Sequence, residues 1–441
     1  MINTLQSLAT KAGWSSIRTR MVLVLTFVIA LAATASAATL CVNPKGTSGC
    51  FKTISSAVTA AKWGDTILVG AGTYSESIWI GKSLSLAGAG RDTTIIDAKG
   101  LSNGIYIDGL DNPGLSEVVI SGFTIQNANF EGILAQSASQ VTIAHNLVQK
   151  NDLSLDVSSS MCPGQPAFET SEANDCGEGI HLMGTAHSIV SDNISQNNSG
   201  GILVSDETAQ TNGNVITHNQ VHDNAFACGI TLASHPGYVK TGTAPLAFGV
   251  VHNTVSDNDS YSNGLGIPGV GAGVGIFAPG PGNITTYNSV VHNRVTDNGL
   301  PGIAVHNHAY LTFPGHPPNP MLNDNSIVDN YISGNGPDGA LPTTANTGIS
   351  VLGTTPITGL VITGNVIENE DIDVATNSAS VLDLHLNDLN GTGVGVDNLS
   401  PGGWVNATEN WWGCAGGPGV SGCATVTGTV AWTPWLDHST Q

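Results

Sequence analysis

Two histidines, His306 and His308, stand two residues apart in the stretch VHNHAY, and this His-Asn-His phrase occurs once in the chain. An imidazole acts as an acid or a base near neutral pH and also binds metal ions. On a continuing strand both side chains would lie on one face, about 6.6 Å apart. A metal site needs a third ligand, which His316 in the same segment could supply. If the protein is an enzyme, we predict His308 as its acid or base, with His306 and Tyr310 beside it.

Histidine and tyrosine also come together in the stretch ASHPGY, which contains His235 and Tyr238. Both stretches fall where long segments, 233 to 248 and 306 to 324, interrupt an internal repeat, and such insertions commonly carry function in repeat proteins. We therefore predict that His235 and Tyr238 bind substrate. The alternative is that both stretches form exposed polar surface held by hydrogen bonds within the loops. The two interpretations differ in whether the loops meet in one cleft.

The repeat itself is visible in Gly-Ile pairs, which recur in steps of 22, 28, 46, 27 and 46 residues. Six of the nine Gly-Ile pairs give these steps, namely those that begin at Gly179, Gly201, Gly229, Gly275, Gly302 and Gly348. We interpret each step of 46 as two units of 23. A unit of this length is typical of one coil of a parallel β-helix, and the alternating apolar residues after each glycine indicate a strand. The phrase Asn-x-Val/Ile-x-x-Asn indicates a second strand in each coil, flanked by asparagine ladders.

Four other histidines stand directly before an asparagine of the repeat: His145, His218, His252 and His292. A stack of coils displays such side chains in parallel, whereas a metal site needs them to converge. We therefore interpret these histidines as occupants of one repeat register and not as metal ligands.

The first 37 residues have the pattern of a secretory signal peptide. Three basic residues precede an apolar run from 21 to 33, and the small residues Ala-Ser-Ala follow at 35 to 37. We predict cleavage before Ala38 and a secreted protein, extracellular or periplasmic. The alternative is a membrane anchor, for which the apolar run is short. No later segment has the length and apolar composition of a membrane span.

Without those residues the chain carries 9 Lys and Arg against 33 Asp and Glu, a net charge of −24. Nucleic acid is therefore a poor partner, because phosphate binding needs clustered basic residues. A neutral polysaccharide or cell-surface glycan, or a cationic partner, fits better. An anionic glycan would need a bridging cation such as calcium, which is the one candidate cofactor. The sequence does not indicate an oligomeric state.

Six of the seven cysteines fall into close couples: Cys41 with Cys50, Cys162 with Cys176, and Cys414 with Cys423. In an exported protein such couples indicate disulfides that close local loops. Cys228 stands directly before a Gly-Ile pair, so we predict a buried thiol, with a reactive thiol as the alternative.

Both ends of the mature chain resemble a known group of proteins. The matching positions near the N-terminus are Thr53-Ile54, Ala57, Ala60-Ala61, Gly64 to Ile67, Val69, Gly72 to Tyr74, Ile78, Ile80, Leu84, Leu86, Gly88, Gly90 and Thr94 to Asp97. They resemble the N-terminal cap and first coils of secreted right-handed parallel β-helix proteins of the pectin-lyase-like superfamily, among them pectin methylesterases and carbohydrate-binding and sugar-hydrolase β-helices. The C-terminal stretches NWWGCAGGPG and TPWL resemble the closing segment of bacterial β-helix repeat proteins.

The resemblance implies an all-β fold, a single-stranded right-handed parallel β-helix with an N-terminal helical cap. It divides the chain into a signal peptide at 1–37, a cap with the first coils at 38–100, repeats at 101–400 and a closing segment at 401–441. Outside the fold the resemblance is weak, because activity depends on sites and not on architecture.

The catalytic motifs of that superfamily do not match this chain. Its lyases use an Arg or Lys base, and the mature chain has only Arg91 and Arg294 as arginines. The Gln-Asp and Asp-Phe phrases of the methylesterases and the Asp-Pro-His phrase of mannuronan epimerases are absent. The acidic stretch ENEDID, which contains Glu370 and Asp373, is predicted to be a solvated edge or a weak calcium patch and not a glycosidase pair.

We therefore predict a secreted β-helix protein that binds an extracellular polysaccharide along one sheet face. If it is catalytic, it would modify that polysaccharide by lyase- or epimerase-type chemistry. The alternative is a non-catalytic structural or adhesion β-helix of the cell surface.

Overall fold

The computed structural model describes residues 37–155, 162–169, 176–307, 321–341, 344–391 and 393–440. Within these ranges the chain winds as a parallel β-helix, in which successive coils add one strand to each of three long parallel sheets. The predicted parallel solenoid is thus confirmed. The predicted signal peptide lies outside the described residues except for Ala37. In the part of the chain that is described, none of the helices has the length and apolar character needed to cross a membrane.

We name the three long sheets A, B and C. In the described residues, sheet A has 14 strands: Thr39–Val42, Asp65–Val69, Leu84–Gly88, Val119–Ser121, Thr142–Ala144, Ile189–Ser191, Val215–Thr217, Thr254–Ser256, Ser289–Val291, Ser326–Val328, Val361–Thr363, Val381–His385, Trp404–Asn406 and Val430–Ala431. Sheet B has 11: Gly72–Tyr74, Thr94–Asp97, Thr124–Gln126, Leu147–Gln149, Ile194–Gln196, Gln220–His222, Asp259–Tyr261, Arg294–Thr296, Tyr331–Ser333, Val366–Glu368 and Asp388–Leu389. Sheet C has 12: Ile78–Ile80, Ile105–Asp108, Ile133–Gln136, Glu178–Met183, Gly200–Ser205, Ile230–Ala233, Val274–Phe277, Ile303–Asn307, Thr347–Gly353, Ile372–Ser378, Val394–Asn398 and Thr425–Thr427. A small sheet comprises Thr211–Asn212, Val250–Val251 and Thr285–Thr286.

Alternate residues of each strand fill the interior of the coils. In the strand Ile303–Asn307, Ile303 and Val305 are fully buried and stand in register with Ile349 and Val351 on the next coil. Each such side chain contributes about 1.5–3 kcal/mol when it is removed from water. Because period-two alternation fixes which residues point inward, it also fixes which ones point outward. The outward positions of sheet C carry the candidate site.

Asparagine ladders hold the corners of the coils. The ladder between sheets A and B consists of Asn146, Asn193, Asn219, Asn258, Asn293, Asn330, Asn365, Asn387 and Asn410, all at most 2% exposed. Asn258 shows the pattern: its Oδ1 accepts the backbone N–H and the Nδ2–H of Asn219 at 2.9 and 3.0 Å. Its Nδ2 donates to the Ile216 carbonyl at 2.9 Å and to Asn293 Oδ1 at 3.0 Å. The amides therefore satisfy backbone groups that the turns would otherwise leave buried without partners.

The four histidines of the repeat occupy corner positions, but not a common one. His145, His218 and His292 precede the ladder between sheets A and B, where their backbones are left-handed, with φ of 55° to 57°. His252 precedes Asn253 at the corner between the small sheet and sheet A. The prediction of one shared register is therefore wrong for His252.

The two steps of 46 residues are each one coil, and the interpretation as two coils is wrong. Ile230 pairs with Val274, and Ile303 pairs with Ile349, on neighbouring strands of sheet C. The added length lies between the paired strands of sheet C and brings each of these coils close to twice the basic repeat in number of residues. The strand that precedes His235 is consequently two coils away from the strand that contains His306.

The acidic stretch ENEDID is not a solvated edge at two of its carboxylates. Glu370 and Asp373 are buried. Glu370 takes the place of an asparagine at the end of the ladder between sheets B and C, where its Oε1 accepts both the N–H and the Nδ2–H of Asn335 at 3.0 Å. Burial raises the pKa of Glu370 to about 7 against the opposing hydrogen bonds of Asn335. The prediction was wrong here because a repeat position, not the local charge pattern, decides the burial.

Both ends of the solenoid are capped. The helix Ile54–Ala60 buries Ile54, Ala57 and Val58, and the Thr53 side chain accepts the N–H of Ser56 at its N-terminus. At the other end Trp412 is fully buried in the continuous core.

The cysteines follow the sequence prediction. The three predicted disulfides are formed: Cys41–Cys50, Cys162–Cys176 and Cys414–Cys423. Cys228 is buried, as predicted, and its sulfur accepts the N–H of Ala272 at 3.3 Å.

Replacing one ladder amide tests how much the ladders contribute. In Asn258→Ala, the N–H of Asn219 and the carbonyl of Ile216 lose buried partners, and each loss costs about 1–3 kcal/mol. We expect the free energy of unfolding, measured by urea denaturation, to fall by roughly 3 kcal/mol. The control is Asp257→Asn, which changes the exposed neighbour and keeps a residue type that tolerates the left-handed backbone. Equal stability of the two variants would contradict a structural role for the ladder.

Glu370 makes stability depend on pH. The pKa of Glu370 in the folded protein is about 7, above the ordinary value of 4.5. The contribution of Glu370 to the free energy of unfolding is therefore full below pH 4.5 and is lost as the pH rises through 7. Glu370→Gln should remove that loss and be more stable than the wild type at pH 8, by about 3 kcal/mol. Thermal melts between pH 4 and pH 8 measure the difference. Asp192→Asn, at an exposed carboxylate on another coil, should keep the wild-type slope.

Candidate functional site

One cleft of about 310 Å³ lies against the outer face of sheet C and the loops beside it. Its lining residues with carboxyl or imidazole side chains are Glu131, Glu169, Glu178, His181, Glu207, His235, His306 and Asp338. Among the lining residues that the structure describes there is no lysine or arginine. The cleft therefore combines five carboxyl groups with three imidazoles.

The strand register of sheet C positions these side chains. His181 stands between the buried residues Ile180 and Leu182, so its side chain must point outward. Ser205 and Ala233 pair across neighbouring coils, and Glu207 and His235 each follow two residues later. The same register thus brings Glu207 and His235 side by side.

A chain of hydrogen bonds links two of the histidines. His181 Nδ1 lies 2.9 Å from Glu131 Oε1, and His181 Nε2 lies 2.7 Å from Ser205 Oγ. The Ser205 hydroxyl donates to Glu207, whose other oxygen lies 2.6 Å from His235 Nδ1. All five residues are buried. The arrangement can orient both rings and can pass a proton between them.

Electrostatics keep Glu207 ionised. Burial opposes its ionisation, but the charge of His235 and the hydrogen bonds from His235 and Ser205 outweigh burial and lower the pKa of Glu207 to about 2. An ionised carboxylate against Nδ1 holds the His235 ring in a fixed orientation and stabilises its protonated form.

The loop that carries His235 is held to the coil beneath it by Asp206. This buried carboxylate accepts the backbone N–H of His235 at 2.7 Å and that of Phe248 at 2.8 Å, as well as the N–H of Gly249. It also accepts the Ser234 hydroxyl at 3.0 Å. The insertion is therefore a fixed wall of the cleft.

His306 forms a separate pair with Asp338. The ring is 4% exposed, and its Nε2 lies 2.8 Å from both Asp338 Oδ2 and Ser350 Oγ. Burial disfavours the charged form of Asp338, but the hydrogen bond and charge of His306 outweigh it and lower the pKa of Asp338. The ring also packs against Phe277, with 5.7 Å between centroids.

A group of aromatic rings flanks the cleft. Phe168 precedes the lining residue Glu169, and its ring lies 6.4 Å from that of Tyr106 and 6.3 Å from that of Tyr238. The backbone N–H of Tyr238 donates to the Glu207 carbonyl at 2.5 Å. These contacts place Tyr238 beside the cleft.

The structure brings together His235 and His306, which the sequence analysis selected in separate loops. Both line the same cleft. Their parent strands are two coils apart, which corresponds to about 10 Å along the solenoid. Tyr238 lies beside the cleft, where its backbone N–H contacts Glu207. Three selected residues, His308, Tyr310 and His316, lie outside the described residues.

Sequence analysis did not select Glu131, His181, Glu207 or Asp338. A signal existed for Glu207, because it stands six residues after Gly201, as His235 stands six residues after Gly229. Glu131 and Asp338 lie in connections between strands, where the repeat gives no register.

The comparisons with known proteins concern the fold. A family model described as right-handed beta helix region matches residues 103–267. The Dettilon tailspike protein is similar with a TM-score of 0.51 and 13% identity, over 83% of this chain and 62% of that one. The A-module of the mannuronan C-5 epimerase AlgE4 of Azotobacter vinelandii has a TM-score of 0.47 and 16% identity, over 80% and 93% of the two chains. An alginate lyase from Paenibacillus sp. has a TM-score of 0.41 and 14% identity, over 89% and 99%.

No curated protein sequence matches this chain. The family model and the observed sheets agree on the architecture. Over residues 103–267 the chain matches the right-handed β-helix family, and the described strands on both sides of that range continue the same parallel coils.

Proposed function

We propose that the cleft over sheet C binds a segment of an extracellular polysaccharide and performs acid–base chemistry on it. The observation that carries the proposal is that two buried imidazole–carboxylate pairs, Glu207–His235 and Asp338–His306, line one cavity. Burying ionisable groups opposes folding unless they are paired, and such groups gather at active sites more often than elsewhere.

The lining suits a sugar. Phe226, Phe277 and Leu300 supply apolar surface for the C–H faces of a ring, and the carboxylates and imidazoles supply hydrogen-bond partners for its hydroxyl groups. The volume of about 310 Å³ is at the lower end of the range for small-ligand sites, so a short segment of a longer chain would enter it.

His235 and His306 are the proposed acid and base. Glu207 fixes the ring of His235, and Asp338 fixes that of His306, so each imidazole has a carboxylate that orients its ring. Lyase- and epimerase-type reactions need one group that removes a proton and one that donates a proton. His308 and Tyr310 follow His306 closely in the sequence, and we retain them as proposed catalytic residues.

The charge of the cleft bears on the sugar. Five carboxyl groups without a lysine or arginine among the described lining residues favour a neutral sugar. A uronate would need a divalent cation between its carboxylate and the protein. The three disulfides fit an oxidising compartment, and with the predicted signal peptide they support an extracellular or periplasmic location.

The test is a panel of neutral and uronate polysaccharides, with and without calcium. Binding is measured on a glycan array, and products are measured as new reducing ends, as ultraviolet absorbance of unsaturated uronates, and by NMR for epimerisation. We expect binding of at least one class. In the variants His235→Gln and His306→Gln, we expect the rate to fall about a hundredfold or more, because each removes a proton-transfer group.

The matched control is His292→Gln, which changes a histidine 58% exposed on another corner of the solenoid. It should keep wild-type binding and rate. If binding occurs and all three variants match the wild type, the cleft is not the site. If no polysaccharide binds under any condition, the non-catalytic structural or adhesion role is the better account.

A further inference from the structure

We propose that Glu131, Glu169 and His181 bind a divalent transition-metal ion of the Zn²⁺ or Mn²⁺ class within the cleft. The proposal does not depend on the polysaccharide function, because metal binding is measured on the protein alone.

The three side chains converge. One ligand atom from each lies within 4.8 Å of the other two. His181 Nδ1 and Glu131 Oε1 are 2.9 Å apart. Two ligands bound at right angles to one ion, at bond lengths near 2.1 Å, would be about 3.0 Å apart. An ion could therefore join this imidazole and carboxylate with little movement of either.

The hydrogen bonds around His181 require a proton or a metal ion between it and Glu131. Ser205 donates its hydroxyl hydrogen to the ionised Glu207, so its oxygen accepts from His181 Nε2–H. A neutral ring with its hydrogen on Nε2 presents a lone pair at Nδ1. That lone pair would face a carboxylate oxygen at 2.9 Å, which is unfavourable. A proton, on Nδ1 or on the Glu131 carboxyl group, or a metal ion must lie between them.

The surroundings resemble the outer shell of metal sites. Ligating histidines usually donate their second ring N–H to an acceptor that fixes the ring, as Ser205 does here. The other oxygen of Glu131 accepts the backbone N–H of Glu178 at 2.7 Å, which aims Oε1 at His181. The Glu178 carboxylate lies 3.8 Å from His181 Nδ1 and could supply a further oxygen ligand to the ion.

Glu169 supplies a second, independent indication. Its Oε1 is buried and has no hydrogen-bond partner among the described residues. A cation between the two carboxyl groups would turn their repulsion into attraction and give the buried oxygen a partner.

The chemical types of the three proposed ligands determine which class of ion fits best. One imidazole with two carboxylates suits Zn²⁺, Mn²⁺ or Fe²⁺, whereas Ca²⁺ prefers oxygen ligands alone. Three protein ligands leave coordination positions for water or for a sugar hydroxyl. Calcium, the cation expected from the composition, is the poorer fit at this place.

The experiment is calorimetric titration of the mature, chelator-treated protein with Zn²⁺, Mn²⁺ and Ca²⁺ separately. We expect one ion of Zn²⁺ or Mn²⁺ per chain, with Ca²⁺ binding at least tenfold more weakly. Glu169→Gln should raise the Kd at least tenfold, and His181→Gln should abolish stoichiometric binding. Circular dichroism checks that both variants are folded.

Two control variants separate this site from others. His235→Gln changes a histidine of the cleft that is not one of the three proposed ligands. This variant should bind one ion as the wild type does. His292→Gln removes an exposed imidazole that lies 3.9 Å from Asp257 and 3.4 Å from Asp329, the kind of place where a surface ion binds weakly. Binding lost in His292→Gln and kept in Glu169→Gln would overturn the proposal. So would absence of stoichiometric binding to the wild type, since a proton between His181 and Glu131 would then take the place of the ion.

Discussion

The structure depends on the need to satisfy buried backbone groups at every corner of a coil. Turns at the corners expose N–H and carbonyl groups to the interior, where an unpaired group is costly. The asparagine ladders meet this need because each amide both accepts from the coil before and donates to backbone and to the coil after. An amide serves in this way only if every coil reaches its corner in the same register. The ladders therefore fix the stacking of the strands, and the strands fix the outward side chains.

The candidate site follows from that register. Residues on neighbouring coils stand at the spacing of paired strands, so Ser205, Glu207 and His235 meet without any special local fold. The segments between the strands supply the carboxylates that hold the two histidines in place. Asp206 anchors the insertion that carries His235, and Asp338 reaches His306 from a connection between strands. A rigid ladder with fixed insertions can hold buried acid–base pairs in place, which an isolated loop could not do.

The sequence was sufficient for the fold because the signal repeats many times. Spacing and alternation specify the strands, and the cysteine couples specify the disulfides. The number of coils in a long step was predicted wrongly, because an insertion can match the length of a coil. Glu370 was also misjudged, since a carboxylate in a ladder position looks like surface charge in one sequence.

The site was only partly accessible from the sequence. His235 and His306 were identified by their place in insertions, and they line one cleft. His181 looked like an ordinary strand residue, and its partner Glu131 lies 50 residues earlier. Such a contact depends on which coils are neighbours and on how connections fold over the sheet, and neither is encoded in local spacing.

The claim that the cleft over sheet C is the binding site can be tested by hydrogen–deuterium exchange with and without a bound polysaccharide. The account predicts slower exchange in the segments that contain Glu207, His235 and Asp338, with the exposed face of sheet B unchanged. Slower exchange confined to sheet B or to the corner that carries His292 would contradict it.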